Sequence, residues 1–145
     1  MPRYFNAPPR VPTTAEVDAC LAVLDNADRA RDHMMIAMAA MTGLRVHEMV
    51  ALDWHQVVTD AGNIRHRVAL VAENTKGGVG GDIVLPEGLR WKVSQYRTWC
   101  SRGGFSIDGD APMFISRISR RISIRRVQQV WKAAQMASNS SRATS

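Results

Sequence analysis

The chain has 145 residues, 46% hydrophobic and 22% charged, a composition typical of one globular domain rather than of a disordered segment. It has neither an apolar run of about 18 residues nor an apolar signal-like N-terminus, so we expect a cytoplasmic protein without a membrane span. The net charge of +6 is uneven, since residues 111–145 carry seven Lys or Arg and no acid, which indicates a polyanionic partner.

The N-terminal part of the chain is predicted to be an extended arm followed by a helix. Residues 1–12 contain four prolines and no hydrophobic periodicity. Thr13–Glu16 reads as a capping box, and a helical stripe of apolar residues follows it. We predict that this first helix buries Cys20 and ends near Asn26.

A second helix is predicted to begin with Asp28 as its cap and to be the central buried helix of the domain. Its methionines make it apolar on most of its surface: Met34, Met35, Met38 and Met41. No Cys or His shares a ligand spacing with them, so core packing is favoured over a metal site.

A tight turn after this helix places a cation at the start of a third helix. Gly43 suits a helix C-terminus because it enters the left-handed conformation without a Cβ penalty. Arg45 then lies at the N-terminus of the next helix, which we expect to close near Trp54, with Glu48 one turn later to orient the arginine. The unpaired N–H groups there favour an anion, and the arrangement would suit a phosphate. The alternative is a surface Arg45–Glu48 ion pair.

Two strands and a glycine-rich tip are predicted next. Ile64–Ala72 and Asp82–Leu85 read as the strands, and Lys76–Gly81 as a flexible hairpin tip. Lys76 lies at the mouth of this loop, where a solvent-exposed lysine is the ordinary outcome.

Two further helices are predicted in the C-terminal half. Pro86 opens the first of them, which ends at Gly103-Gly104 and buries one face: Leu89, Val93, Tyr96 and Cys100. Cys20 and Cys100 are expected to be buried thiols rather than a disulfide.

Ser123 is the predicted cap of the fifth helix. Its inward face is predicted to be Ile124, Val127, Trp131 and Ala134. Residues 138–145 are expected to form a disordered tail. A cluster of arginines around the start of this helix is of the kind that positions DNA phosphates: Arg117, Arg120, Arg121, Arg125 and Arg126.

Two of these stretches resemble the tyrosine recombinases, the phage integrase family. The run from Thr42 to Trp54 is similar to the family's first arginine box. It reads T-G-L-R-x-x-E, followed by apolar residues and Trp54. Glu73–Gly78, followed by Ile83–Pro86, resembles its β-hairpin lysine box. The resemblance implies that Arg45 contacts the scissile phosphate, that Lys76 protonates the leaving oxygen, and that Thr75 lies beside DNA.

The same resemblance implies catalytic groups that the sequence does not supply. The family's reaction needs a tyrosine nucleophile and an H-x-x-R box, but none of the four histidines has an arginine at the third following position. Tyr4 lies in the arm and Tyr96 on an apolar helix face, so neither is expected to be the nucleophile. We therefore expect a catalytic-type domain over residues 13–137 that is truncated before these groups.

The predicted fold is α+β, with five helices and a small antiparallel β-sheet between the third and fourth. The partner implied by the resemblance is double-stranded DNA, with no metal and no small-molecule cofactor. An uncovered apolar face of the second or fifth helix would favour a homo-oligomer or a complete recombinase as a further partner.

Three functions remain open at this stage. The first is DNA binding without independent catalysis, through backbone phosphates. The second is a split recombinase half that a partner completes in trans. The third is a non-catalytic regulator that acts by protein–protein interaction.

Overall fold

The computed structural model describes residues 13–70, 81–116, 118 and 120–143. They form six α-helices and one two-stranded sheet: α1 (Thr14–Val23), α2 (Ala30–Thr42), α3 (Val46–Val50), α4 (Trp54–Val57), β1 (Arg67–Leu70), β2 (Gly81–Val84), α5 (Glu87–Arg102) and α6 (Ile124–Ala143). A one-turn 3₁₀ helix, Ala27–Arg29, precedes α2. The predicted arm of residues 1–12 lies outside the described residues. The expectation of a mainly helical α+β fold with a small antiparallel sheet is confirmed.

Helix α2 is the centre of the core, as its methionines predict. It packs against α1, α3, α5 and α6. Met34, Met35 and Met38 are each at most 1% exposed. We expected an apolar face of this helix to be uncovered, but at these three methionines the face is buried. Met41, near the end of the helix, is the one of the four methionines that is exposed.

The caps explain where the first two helices begin. Thr13 and Glu16 form the predicted capping box, with the Glu16 N–H donating to Thr13 Oγ1 at 3.1 Å. Asp28 is not the cap of α2, however. The N-cap of α2 is Arg29, without a side-chain cap hydrogen bond. Asn26 caps the 3₁₀ turn that leads into α2, because its side chain accepts a hydrogen bond from the Asp28 N–H at 3.1 Å.

The predicted third helix is two helices in the structure. The chain leaves α3 after Val50 and is extended at Asp53 (φ −107°, ψ 158°) before α4 begins. Backbone hydrogen bonds to a distant segment hold this break open, since the Trp54 N–H donates to the Ala111 carbonyl and the Met113 N–H to the Leu52 carbonyl, each at 3.0 Å. The prediction of one helix from Arg45 to Trp54 is therefore wrong, and the described part of the chain contains six α-helices rather than five.

The sheet is a short antiparallel pair attached to α4. β1 pairs with β2 so that Val68 faces Ile83 and Leu70 faces Gly81. Gln56 of α4 donates from Nε2 to the Ala69 carbonyl at 3.3 Å and ties the sheet to the helices. Residues 71–80, which include the predicted hairpin tip, lie outside the described residues.

Helix α5 agrees with its prediction. Pro86 is its N-cap and Gly103 its C-cap. The predicted face of α5 is buried: Leu89, Val93, Tyr96 and Cys100.

Helix α6 differs from its prediction in two respects. Ser123 is its cap, accepting from the Arg126 N–H at 3.1 Å, but the buried face is Val127, Val130 and Ala134. Ile124 is 41% exposed because it occupies the first turn, ahead of the residues that pack on α1 and α2. The helix also continues through Ala143, so residues 138–143 are helical rather than a disordered tail.

Candidate nucleic-acid interface

The turn that presents Arg45 is built by the end of α2. Gly43 has a φ of 75°, in the left-handed region, and its N–H donates to the Ala39 carbonyl at 3.0 Å. Thr42 Oγ1 donates to the Met38 carbonyl at 2.6 Å and accepts from the Leu44 N–H at 3.1 Å. The turn therefore has little freedom, and it delivers Arg45 as the exposed N-cap residue of α3.

Glu48 fixes the start of α3 through the backbone of Arg45. Its Oε1 accepts a hydrogen bond from the Arg45 N–H at 3.0 Å. Glu48 therefore contacts Arg45 through the backbone N–H of the arginine. The alternative, an ion pair between this carboxylate and the Arg45 guanidinium, is not formed. The carboxylate satisfies one of the N–H groups that a helix start leaves unpaired.

The arginine-rich segment before α6 folds back on itself beside α3. Ser116 donates its N–H to the Arg120 carbonyl at 2.6 Å, and Ile122 donates its N–H to the Phe114 carbonyl at 3.0 Å. Ile115 and Arg121 form an antiparallel bridge between these two hydrogen bonds. Phe114 and Ile122 are buried, so their side chains fix this turn to the core.

Arg121 joins this segment to the C-terminal end of α3. Its Nη1 donates to the Val50 carbonyl at 3.0 Å and to the Leu52 carbonyl at 3.1 Å. Its Nη2 forms a hydrogen-bonded ion pair with Asp53. The sequence places Arg121 among the phosphate-contacting arginines, whereas each of these contacts is internal to the protein.

The other predicted residues fall into two groups. Arg120, Arg125 and Arg126 are exposed around the start of α6, and α6 packs against α3, which carries Arg45. Arg126 Nη1 donates to Gln129 Oε1 at 3.3 Å along the helix. The structure thus brings Arg45 and the arginine segment to neighbouring elements. The remaining predicted site residues lie outside the described residues: Thr75, Lys76 and Arg117.

Sequence reasoning missed two residues that hold this region together. Arg31 of α2 donates from Nη1 to the Ile115 carbonyl at 3.0 Å and is held by Asp32 at 2.9 Å, with 16% of the Arg31 side chain exposed. Asp53 is the carboxylate partner of Arg121. Neither has a sequence signal, because both act on segments more than 60 residues away.

Tyr96 is a buried core residue in the structure. Tyr96 is 3% exposed, its hydroxyl donates to the Met113 carbonyl at 2.9 Å, and burial raises the pKa of this phenol well above its usual value. Between residues 13 and 143, leaving out the undescribed positions, no group of three or more His, Cys, Asp or Glu could hold a metal ion. Over the same residues, no helix is both long enough and apolar enough to cross a membrane.

Comparison with known proteins gives a family match, a similar relative and a similar fold. Residues 11–145 match the model of the phage integrase family. The tyrosine recombinase XerC of Azotobacter vinelandii (strain DJ / ATCC BAA-1303) is 31% identical over 124 residues, which cover 82% of this chain and 38% of that protein.

A similar fold is present in the crystal structure of XerA recombinase, with a TM-score of 0.69 and 15% sequence identity. The match covers 90% of this chain and 44% of that one, so the chain spans less than half the length of either relative. By the family match over nearly its whole length, the chain belongs to the phage integrase family of tyrosine recombinases and has the fold of their catalytic domain.

Proposed function

We propose that the chain binds double-stranded DNA through backbone phosphates, using Arg45 together with the arginines around the start of α6. The observation that carries this proposal is the length of α3. Arg45 caps one end of this helix, and Arg121 bonds the Val50 carbonyl at the other end. Five residues of α-helix rise about 8 Å, so the arginine-rich segment that Arg121 anchors to α3 lies close enough to Arg45 for both to follow one stretch of DNA backbone.

The phosphate-contacting set would consist of the exposed cations at the start of α3 and around the start of α6 that do not serve the fold. Among the described residues we assign Arg45, Arg120, Arg125 and Arg126 to it. Thr75, Lys76 and Arg117 complete the set by family resemblance. The absence of any acidic residue from 111 to 145 supports the proposal, because nothing on that part of the chain opposes a phosphate. Contacts of this type position DNA without reading its bases.

We also propose that the chain alone does not cleave DNA. Tyr96 is buried with its hydroxyl already hydrogen-bonded, so it is not available to attack a phosphodiester. The four histidines lack the H-x-x-R spacing that the family uses. A tyrosine–DNA adduct formed by the purified chain would contradict this part.

The test is duplex DNA affinity measured against salt concentration. The wild type is compared with Arg45→Ala/Lys76→Ala and with a matched control, Arg102→Ala/Lys132→Ala, which removes two exposed cations outside the proposed set. Loss of two charge-assisted contacts at about 1.5–3 kcal/mol each predicts at least about 100-fold weaker binding for the first variant. Its salt slope should also fall by about two.

Two outcomes would count against the proposal. If both double variants lose the same modest affinity, Arg45 and Lys76 are not contacts and only general charge attraction is left. If the wild type shows no salt-sensitive binding even at low ionic strength, DNA binding by this chain is ruled out.

A further inference from the structure

Helix α3 depends on other parts of the chain for its orientation. It is five residues long, far below the length at which a helix is stable by itself. Its N-terminal end is held by the Glu48 carboxylate on the Arg45 N–H. The carbonyls at its C-terminal end have no partner within the helix, and the helix dipole places partial negative charge there.

Arg121 supplies the missing partner at that end. Nη1 of its guanidinium donates to the Val50 and Leu52 carbonyls, and Nη2 donates to the Asp53 carboxylate. A guanidinium can satisfy several acceptors at once because its N–H groups form a rigid planar fork. The side chain is 38% exposed, so the three acceptors and not burial determine its orientation.

A phosphate contact is a poor account of the same side chain. A phosphate approaching Arg121 would come close to the Asp53 carboxylate of the ion pair, and like charges repel. It would also compete with the Val50 carbonyl, which would lose the donor that Arg121 provides, whereas the Leu52 carbonyl would keep the Met113 N–H. Arg120, its neighbour in sequence, is exposed, its side chain forms no hydrogen bond or ion pair with another described residue, and it suits a phosphate better.

We propose that Arg121 is a positioning residue, which clamps the C-terminal end of α3 with Asp53 and so sets the direction in which Arg45 meets DNA. This rests on the proposed DNA binding by Arg45. It assigns Arg121 a different task from Arg120, Arg125 and Arg126, although all four have the same charge.

Asp53→Asn is the first test, because the two roles predict opposite signs. As a positioning contact, the ion pair becomes a weaker neutral hydrogen bond, α3 loosens, and DNA binding weakens by about fivefold. As a phosphate contact, Arg121 would be released from a competing carboxylate, and removal of a negative charge would strengthen binding. Stronger binding by Asp53→Asn overturns the proposal.

Arg121→Lys tests the same point with the charge retained. A lysine ammonium is a compact charge that cannot hold three acceptors in a planar fork, whereas it can still attract a phosphate. We expect about tenfold weaker binding for Arg121→Lys, and near-normal binding for the control Arg120→Lys. In a protein that already carries Arg45→Ala, adding Arg121→Lys should cause no further loss of DNA affinity. Equal effects in both backgrounds overturn the proposal.

A readout without DNA separates failure of this inference from failure of the proposed function. Asp53→Asn and Arg121→Lys should speed amide hydrogen exchange at Met49 and Leu52, whose N–H groups bond to the Arg45 and Met49 carbonyls. Exchange at Leu85, which bonds to the His66 carbonyl, should not change. If both variants exchange faster at Met49 and Leu52 but the wild type does not bind DNA, Arg121 still holds the end of α3 and the proposed DNA function is rejected. Unchanged exchange rejects the clamp.

Discussion

The carboxylate of Glu48 accepts a hydrogen bond from the backbone N–H of Arg45, at 3.0 Å. Gln56 does the same for α4, where its Oε1 accepts from the Asp53 N–H at 2.9 Å. Two successive short helices are therefore started by the side chain of their third residue, once with a carboxylate and once with an amide.

This pairing predicts that the oxygen of Glu48 matters more than its charge. Glu48→Gln keeps an acceptor in the same place and should leave the free energy of unfolding within about 0.5 kcal/mol of wild type. Glu48→Ala leaves the Arg45 N–H without its partner and should cost about 1 kcal/mol. Chemical denaturation of both variants measures the difference. Equal losses would show that an ion pair with the Arg45 guanidinium matters instead.

The hydroxyl of Tyr96 is predicted to contribute to stability. It donates to the Met113 carbonyl at 2.9 Å inside the core, between the rings of Trp54 and Phe114. Tyr96→Phe keeps the ring and leaves a buried acceptor short of one donor, so unfolding should become easier by about 1–2 kcal/mol. Urea denaturation at constant pH measures this. An unchanged midpoint would contradict the role of the hydrogen bond.

Both thiols are predicted to be inert in the folded protein. Cys20 and Cys100 are free and buried, and burial raises the pKa of the Cys100 thiol to about 11, because it penalises the thiolate. A thiol reagent at pH 8 should label neither cysteine within minutes, and both after unfolding in guanidinium chloride. Rapid labelling of either cysteine in the native protein would contradict the packing around it.

His33 is predicted to make stability depend on pH in one direction. Burial and the nearby Lys92 charge lower the pKa of its imidazole from the ordinary value of 6.5, against weaker opposing effects of the Leu21 carbonyl and Asp25. The ring is held neutral between two partners, with Nδ1 3.1 Å from the Leu21 carbonyl and Nε2 2.7 Å from Lys92 Nζ.

The sign of the effect follows from proton uptake. The unfolded chain binds a proton at His33 near pH 6.5, and the folded chain does so only at lower pH. Stability from this group is therefore complete above about pH 6.5 and declines as the pH falls below it. We expect a smaller drop in Tm between pH 7.5 and 5.5 for His33→Gln than for wild type. The same drop in both proteins would contradict this assignment.

The parts of the fold that sequence predicts are those decided by neighbouring residues. The capping box at Thr13, the turn at Gly43 and the buried stripe of α5 each depend on groups within one or two helical turns. The break between α3 and α4 could not be found in this way, because it is held by hydrogen bonds to the Ala111 carbonyl and from the Met113 N–H, more than 50 residues away.

The candidate site shows the same division. Arg45 is recognisable because a glycine turn and a capping glutamate surround it. Arg120 and Arg121 are indistinguishable in sequence, since both lie in one basic cluster. Only tertiary contacts, which bring Val50 and Asp53 against Arg121, separate a side chain that serves the fold from one that can face a ligand.

The packing of α1 on α6 has a consequence for how the chain is made. Cys20 of α1 and Leu24, its C-cap residue, share a small apolar cluster with Ile36 of α2 and Ala134 of α6. Cys20 Sγ lies 3.9 Å from Ser138 Oγ of α6. During synthesis from the N-terminus, α1 therefore waits for more than 100 residues before its last partner leaves the ribosome. Until then the part of its apolar side that α6 covers has no partner, and because the loop to be closed is so long, we expect the packing of α1 on α6 to be a slow step of folding.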